Sequence, residues 1–169
     1  MPAYACARAC VYSAGLEVTD CASRLPAPYL RRACNLPVPC TQIAGTGFGV
    51  TSLGLGEGTA IAGFETGHVR IYDPGTGAML VEVTAHLRRV CSVVLHPTKP
   101  LFLSAGEDAF TYVWTLPVPA NNGKVNLAAP PLELKQGMMT GATFAGRGRS
   151  DVVASCYDEP ELSKWNAVA

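Results

Sequence analysis

Three residues of this chain, His86, Ser104 and Asp108, are of the types that carry out acyl transfer. A serine hydroxyl is a weak nucleophile until an imidazole takes its proton, and a carboxylate behind the imidazole fixes its tautomer. The surroundings do not suit that chemistry. Ser104 lies in the run LFLSAGED (Leu101–Asp108), without the glycines that lift a nucleophile onto a sharp strand-to-helix turn. Trp114 follows Ser104 by ten residues, and an indole N–H has no part in acyl transfer. The four side chains suit a structural network instead. Asp108 can accept from His86 and from turn amides, the Ser104 hydroxyl can both donate and accept, and the Trp114 N–H needs an acceptor. A chain His86–Ser104–Trp114 buttressed by Asp108 satisfies all of its own buried polar groups. We therefore expect no catalytic residue and no enzyme.

Other candidate signals are weaker. Five of the seven cysteines, Cys6, Cys10, Cys21, Cys34 and Cys40, lie in the first 40 residues. Cys6 and Cys10 could share a helix face, but no second pair follows at zinc-ligand spacing. The odd total, with Cys91 and Cys156 inside expected strands, argues against a disulfide framework. The expectation is no metal and no cofactor. A metal-binding or redox protein built on this segment is the alternative function. The run Gly45–Gly58 is rich in glycine but lacks the Gly-Lys-Ser/Thr ending of a phosphate loop, and no helix follows. It reads as turn glycines around a strand. The basic run Ala145–Ser150 reads as a loop between two strands, and His68 and His96 as exposed turn residues.

The elements that must position the quartet are short. Val90–Leu95, Leu101–Ala105 and Thr111–Leu116 are β-branched or aromatic runs separated by Pro, Gly, Asp and Lys. Such close spacing implies antiparallel hairpins. The pattern repeats: Thr59–Asp73 aligns with Leu101–Thr115 without a gap, placing Ala62, Thr66 and Tyr72 where Ser104, Asp108 and Trp114 stand. A third copy begins near Met138, with strands in MMTGATF, DVVASCY and ELSKWNAV, and Ser155 and Trp165 again ten residues apart. The period, about 40–50 residues, is that of propeller blades.

These repeats resemble the WD40-repeat family. The likeness rests on GHVRIYD, on the Ala-His pair before a strand, and on SAGEDAFTYVW, and it covers Leu36–Ala169. The resemblance implies an all-β partial propeller: about three blades in an open arc, with an irregular N-terminal tail. The repeats would span about 46–84, 85–135 and 136–169, after a tail of residues 1–35. The resemblance further implies a non-catalytic scaffold or adaptor that binds other proteins. Residues beside the tetrad turn, and just before the first strand, project from one face in that family. Here those are Glu65, Glu107, Arg88 and Arg89. Only the middle repeat carries a full quartet. The third has Asp158 and Glu159 straddling the Asp position and no matching His.

Composition sets further bounds. The net charge is zero, so no electrostatic footprint marks a nucleic-acid or anionic-membrane partner. No apolar run approaches the length of a spanning helix. The 17 glycines and 13 prolines suit a chain of many turns. A cytoplasmic location is the default expectation. The Ala/Arg/Ser flavour of ACARACVYSAG hints at an organellar transit peptide, against which Glu17 and Asp20 count. Residues 1–35 are expected to be irregular or to carry one short helix, with a strand near Cys10–Ser13 pairing onto Leu162–Ala167 as the alternative. Closed propellers need at least about four blades. Three repeats therefore suggest a truncated gene product, an incomplete gene model or half of an assembly. An open arc is expected to expose apolar blade faces and to self-associate through its edges.

Overall fold

The computed structural model describes residues 10–12, 15–17, 42–43, 47–56, 58–117, 123–135, 137–166 and 168, the first three stretches as backbone only. Apart from one 3-10 turn at Arg147–Arg149, every regular element among them is a strand. The chain divides into two compact units, Met1–Gly49 and Val50–Ala169.

In the first unit the described part of residues 1–35 is extended, with a strand where the alternative expectation placed one, near Cys10–Ser13, though paired to a different partner. β1 (Cys10–Tyr12) and β2 (Gly15–Glu17) form an antiparallel hairpin, with Val11 opposite Leu16, and β3 (Gln42–Ile43) pairs onto β2. Val11 and Tyr12 are β-branched and aromatic, which favours extended backbone. Two residues separate them from Gly15, a common hairpin length. Cys6, Cys21, Cys34 and Cys40 lie outside the described residues.

The second unit is three antiparallel meanders in an open, non-closed arrangement. The first sheet runs β4 (Val50–Gly56), β5 (Thr59–Phe64), β6 (His68–Tyr72), β7 (Met79–Thr84). The second runs β8 (Val90–Leu95), β9 (Leu101–Gly106), β10 (Phe110–Thr115), β11 (Leu132–Glu133). The third stops at three strands: β12 (Met139–Ala145), β13 (Asp151–Cys156), β14 (Leu162–Trp165). The glycine-rich run is therefore a strand followed by a strand, with no helix N-terminus to hold phosphate.

Hydrophobic alternation does the stacking. On the middle sheet, Phe102 and Trp114 pack with Ile61, Val69 and Ile71 of the first sheet. Leu103, Ala105 and Val113, on its other face, pack with Met139, Phe144, Val152 and Ala154 of the third. Burying both faces of the middle sheet this way supplies most of the folding drive, at roughly 1.5–3 kcal/mol per large side chain.

The innermost strands are tied directly. Each carries a register irregularity at the same place, between Val50 and Ser52, Val90 and Ser92, and Met139 and Gly141. A bulge re-aims side chains, and here hydroxyls cross between sheets. Thr51 Oγ1 donates to the Val90 carbonyl at 2.5 Å, the Val93 amide donates to Ser52 Oγ at 2.7 Å, and Ser92 Oγ donates to the Ala142 carbonyl at 2.9 Å.

The segment between β10 and β11 pairs in part with β10: Thr115 N–H donates to the Asn126 carbonyl at 2.8 Å, and Ala128 N–H to the Val113 carbonyl at 2.8 Å. Pro130 and Pro131 lack ladder donors and break this outer strand before β11 resumes it. The first sheet's face turned away from the middle sheet is apolar, carrying Ala60, Ala62, Phe64 and Tyr72. The third sheet's face turned away from the middle sheet mixes Thr143, Asp151, Ser155 and Lys164 with Val153 and Leu162, the last 68% exposed, and holds a 2.9 Å ion pair from Lys164 to Asp151.

Candidate functional site

The quartet sits on four neighbouring pieces of chain. His86 is in the crossing from β7 to β8, Ser104 is on β9, Asp108 is in the β9–β10 turn, and Trp114 is on β10. His86 Nδ1 lies 3.0 Å from Asp108 Oδ1, His86 Nε2 lies 2.9 Å from Ser104 Oγ, and Trp114 Nε1 donates to Ser104 Oγ at 2.9 Å. One proton arrangement satisfies every group: Nδ1–H donates to the carboxylate, and the Ser104 hydroxyl donates to an unprotonated Nε2 while accepting from the indole. Asp108 Oδ2 also accepts the Leu87 amide at 2.9 Å, which fixes the crossing after His86. Tyr112 wedges between the His86 and Trp114 rings, with centroids at 5.1 and 5.5 Å.

Gly106 makes room for the turn. A Cβ there would sit on His86 Nδ1 and on Asp108 Oδ1. The Ser104 hydroxyl is fully buried and spent on two hydrogen bonds, so it has no access to a substrate. The geometry is that of a strand clamp.

Burial holds His86 below its ordinary pKa near 6.5, against the opposing pull of the Asp108 carboxylate. Burial lowers His96 likewise. The sign of the pH dependence follows. With the folded pKa depressed, these imidazoles contribute fully above pH 6.5. Below it the unfolded chain takes up protons that the folded chain refuses, and stability is lost as pH falls through the folded values. The thermal midpoint should therefore drop on acidification from pH 7.5 to 5. In a His86→Gln variant that slope should be visibly shallower; an identical slope would mean that His86 is not the titrating group.

The rim residues follow from this frame. Glu65 is exposed in the β5–β6 turn, Arg88 and Arg89 are exposed just before β8, and Glu107 is half-buried in the β9–β10 turn. Arg89 and Glu107 approach to 4.0 Å, and the Glu107 amide donates to the Arg89 carbonyl at 2.9 Å. Between His86 and the two arginines, Leu87 is 92% exposed, an apolar side chain held out by the carboxylate that binds its amide.

The other two blades solve the clamp differently. In the first, Ala62 pairs with Arg70 as Ser104 pairs with Tyr112. Arg70 is 9% exposed, donates to Glu82 on β7, and lies 4.5 Å from the centre of the Phe64 ring on β5. One buried guanidinium thus ties three strands. Sequence analysis missed it; the signal was an arginine inside an otherwise apolar strand, with a glutamate on the next. In the third blade Ser155 and Trp165 keep their ten-residue spacing but lie on opposite faces. Trp165 pairs with Val152 and Ser155 with Leu162, because the β13–β14 turn is one residue longer than its counterpart. A one-residue slip reverses every side chain. Ser155 bonds Thr140 Oγ1 at 2.9 Å instead.

Two remaining sequence readings meet the structure here. His68 is half-buried and its Nδ1 lies 3.0 Å from Thr66 Oγ1. His96, expected to be exposed, is 5% exposed: its Nδ1 accepts the Lys99 amide at 3.0 Å and its ring meets Phe144 edge-on at 4.9 Å. Among the described residues no group of His, Cys, Asp and Glu could hold a metal ion. Burial raises the Cys91 thiol to a pKa of about 11, so it is a poor nucleophile and a poor redox centre.

A family model described as WDR54 matches residues 10–168. The chain is 33% identical over 129 residues to "WD repeat domain 54" of Rattus norvegicus and 30% identical over 129 residues to "WD repeat-containing protein 54" of Homo sapiens. Each alignment takes in 76% of this chain and 39% of the relative, so the chain spans about two fifths of the length of the curated relatives it matches. Among solved structures, the RRP9 WD40 repeats match 69% of this chain and 33% of that one, with a TM-score of 0.57 at 16% identity, a likeness of fold alone.

Proposed function

The chain belongs to the WDR54 family, and from that premise we propose that it is a non-catalytic scaffold that engages another protein through the rim around Leu87, Arg88, Arg89, Glu107 and Glu65. WD40 homology carries the general kind of function, protein interaction; the rim assignment is the finer step. Its supporting observation is the junction at His86. The imidazole is locked by two hydrogen bonds, while the next residue is an apolar side chain 92% exposed, followed by two exposed arginines. A rigid base with an apolar anchor and two fork-shaped cations suits an acidic partner surface.

The test is a paired replacement, Arg88→Glu with Arg89→Glu. Surface changes of this kind alter stability by only about 0.5 kcal/mol. Proteins co-purified by the wild-type chain at low salt should be lost from the variant while its melting curve stays in place. An unchanged set of co-purified proteins would remove the rim from consideration. The proposal includes a cytoplasmic location, in keeping with Cys91, a free thiol inside β8. Fractionation of cells carrying the tagged chain checks it; recovery in an organellar lumen would overturn it.

A further inference from the structure

We propose that His96 is a pH-sensitive latch between the second and third sheets: the neutral imidazole fastens the β12–β13 turn to the second sheet, and its protonation releases that turn. The latch stands at the far end of β8 from Arg88 and Arg89, so it is separate from the rim. His96 is the first residue after β8, and the four that follow it, Pro97 to Pro100, are all exposed. Its own side chain turns inward and is 5% exposed. The ring meets Phe144 of β12 edge-on at 4.9 Å. The backbone of Gly148 and Arg149, in the turn from β12 to β13, lies beside it.

The hydrogen bonds fix which proton the ring carries. Nδ1 accepts the amides of Thr98 at 3.2 Å and Lys99 at 3.0 Å, so it is unprotonated and the hydrogen of the neutral ring is on Nε2. Nε2 is buried and makes no hydrogen bond among the described residues, although the Arg149 and Gly148 carbonyls are near. A second proton has to go on Nδ1, where it faces two N–H donors. Both turn amides then lose their acceptor, and a charge sits out of reach of water. The charged groups that act on the ring are Lys99 from its own turn and Arg149 from the β12–β13 turn, and both are cations. His86, by contrast, keeps the Asp108 carboxylate as a counter-charge at 3.0 Å. A protonated His96 therefore leaves its socket for water, baring the edge of Phe144 and loosening the turn that lay against the ring. Burial above all keeps the ring neutral, with both cations helping and the two carbonyls pulling the other way. The folded group is thus harder to protonate than a free imidazole near 6.5. The latch is fully closed above that pH and is lost as pH falls through the lower, folded value.

The experiment follows the full chain, isotopically labelled, by NMR from about pH 7.5 to about pH 5. Ring nitrogen shifts at neutral pH should place the hydrogen of His96 on Nε2. On acidification the amides of Thr98 and Lys99 and those of Arg147–Arg149 should shift together, with one midpoint, that of the His96 ring. Protection of the Thr98 and Lys99 amides against exchange, corrected for the pH dependence of exchange itself, should fall at least about tenfold. His96→Asn keeps an acceptor for these amides without a titrating group, and its two turns should stay closed in acid. The same acid-induced shifts in His96→Asn overturn the proposal. So does an Nδ1–H tautomer at neutral pH, or movement of Thr98 and Lys99 while the Arg147–Arg149 amides stand still. Wild-type spectra unchanged down to about pH 5 overturn it as well. The ring and amide shifts of the unaltered chain decide the matter even where His96→Asn does not fold.

Discussion

Ser104→Ala should destabilise the Val50–Ala169 unit by about 2–5 kcal/mol. The substitution opens no cavity of consequence, so the loss is almost wholly polar. Removing the hydroxyl strands two buried groups at once: His86 Nε2 loses its donor and the Trp114 indole N–H loses its acceptor. Each unsatisfied buried group costs about 1–3 kcal/mol. Asp108→Ala should cost a comparable amount by a different route, because Asp108 holds His86 Nδ1 and the amides of Leu87 and Phe110. The two effects should not add, since both act through one imidazole. Urea denaturation of the two single variants and the double variant measures the coupling. Strict additivity, or a Ser104→Ala cost within error of zero, would show that the four side chains are neighbours without being a network.

Gly67→Ala should be comparably damaging, at about 3 kcal/mol or more. Gly67 has φ +84, where a side chain is strained by about 1–3 kcal/mol. Its added Cβ would also collide with the backbone carbonyl of His86 and approach that of Arg88 to 2.9 Å. Backbone cannot yield there, because the Gly67 carbonyl accepts the amides of both Ala85 and His86. The turn of the first blade thus positions the histidine that clamps the second. Ala109, in the matching turn of the second blade, has φ 69 and carries its methyl. The left-handed turn alone therefore tolerates a side chain, and the crowding at Gly67 makes the difference. Thermal melts of Gly67→Ala and Ala109→Gly separate the two causes: the first should fall sharply and the second should hold or rise slightly. A mild Gly67→Ala would mean that the β7–β8 crossing can move aside.

Residues 50–165 were legible as strands because short β-branched runs between turn residues leave few alternatives, and because the first two repeats align without a gap. The same local grammar failed at β11, a two-residue strand behind two prolines. At Cys10–Glu17, where three-residue strands are too short to show alternation, it offered a strand near Cys10–Ser13 only as the alternative to an irregular tail. His86, Ser104, Asp108 and Trp114 could be picked out as a set because each hydrogen bond needs a particular donor or acceptor, and the spacing of one hairpin puts all four within reach.

What the amino-acid order determined by itself is whatever depends on neighbours in the chain: the meander, its turns and the chemistry of one clamp. Tertiary structure decided the rest, because it depends on register and on what lies across a sheet. One extra residue in the β13–β14 turn puts Ser155 and Trp165 on opposite faces at an unchanged spacing. Equivalent irregularities in three inner strands turn Thr51, Ser52 and Ser92 into ties between sheets. Phe144, brought in from the third sheet, packs against the ring of a buried His96. Glu82 and Phe64 arrive from two other strands to meet the charge of the buried Arg70. No local pattern encodes such meetings, since removing a charge from water is tolerable only when its partners, distant in sequence, are already in place.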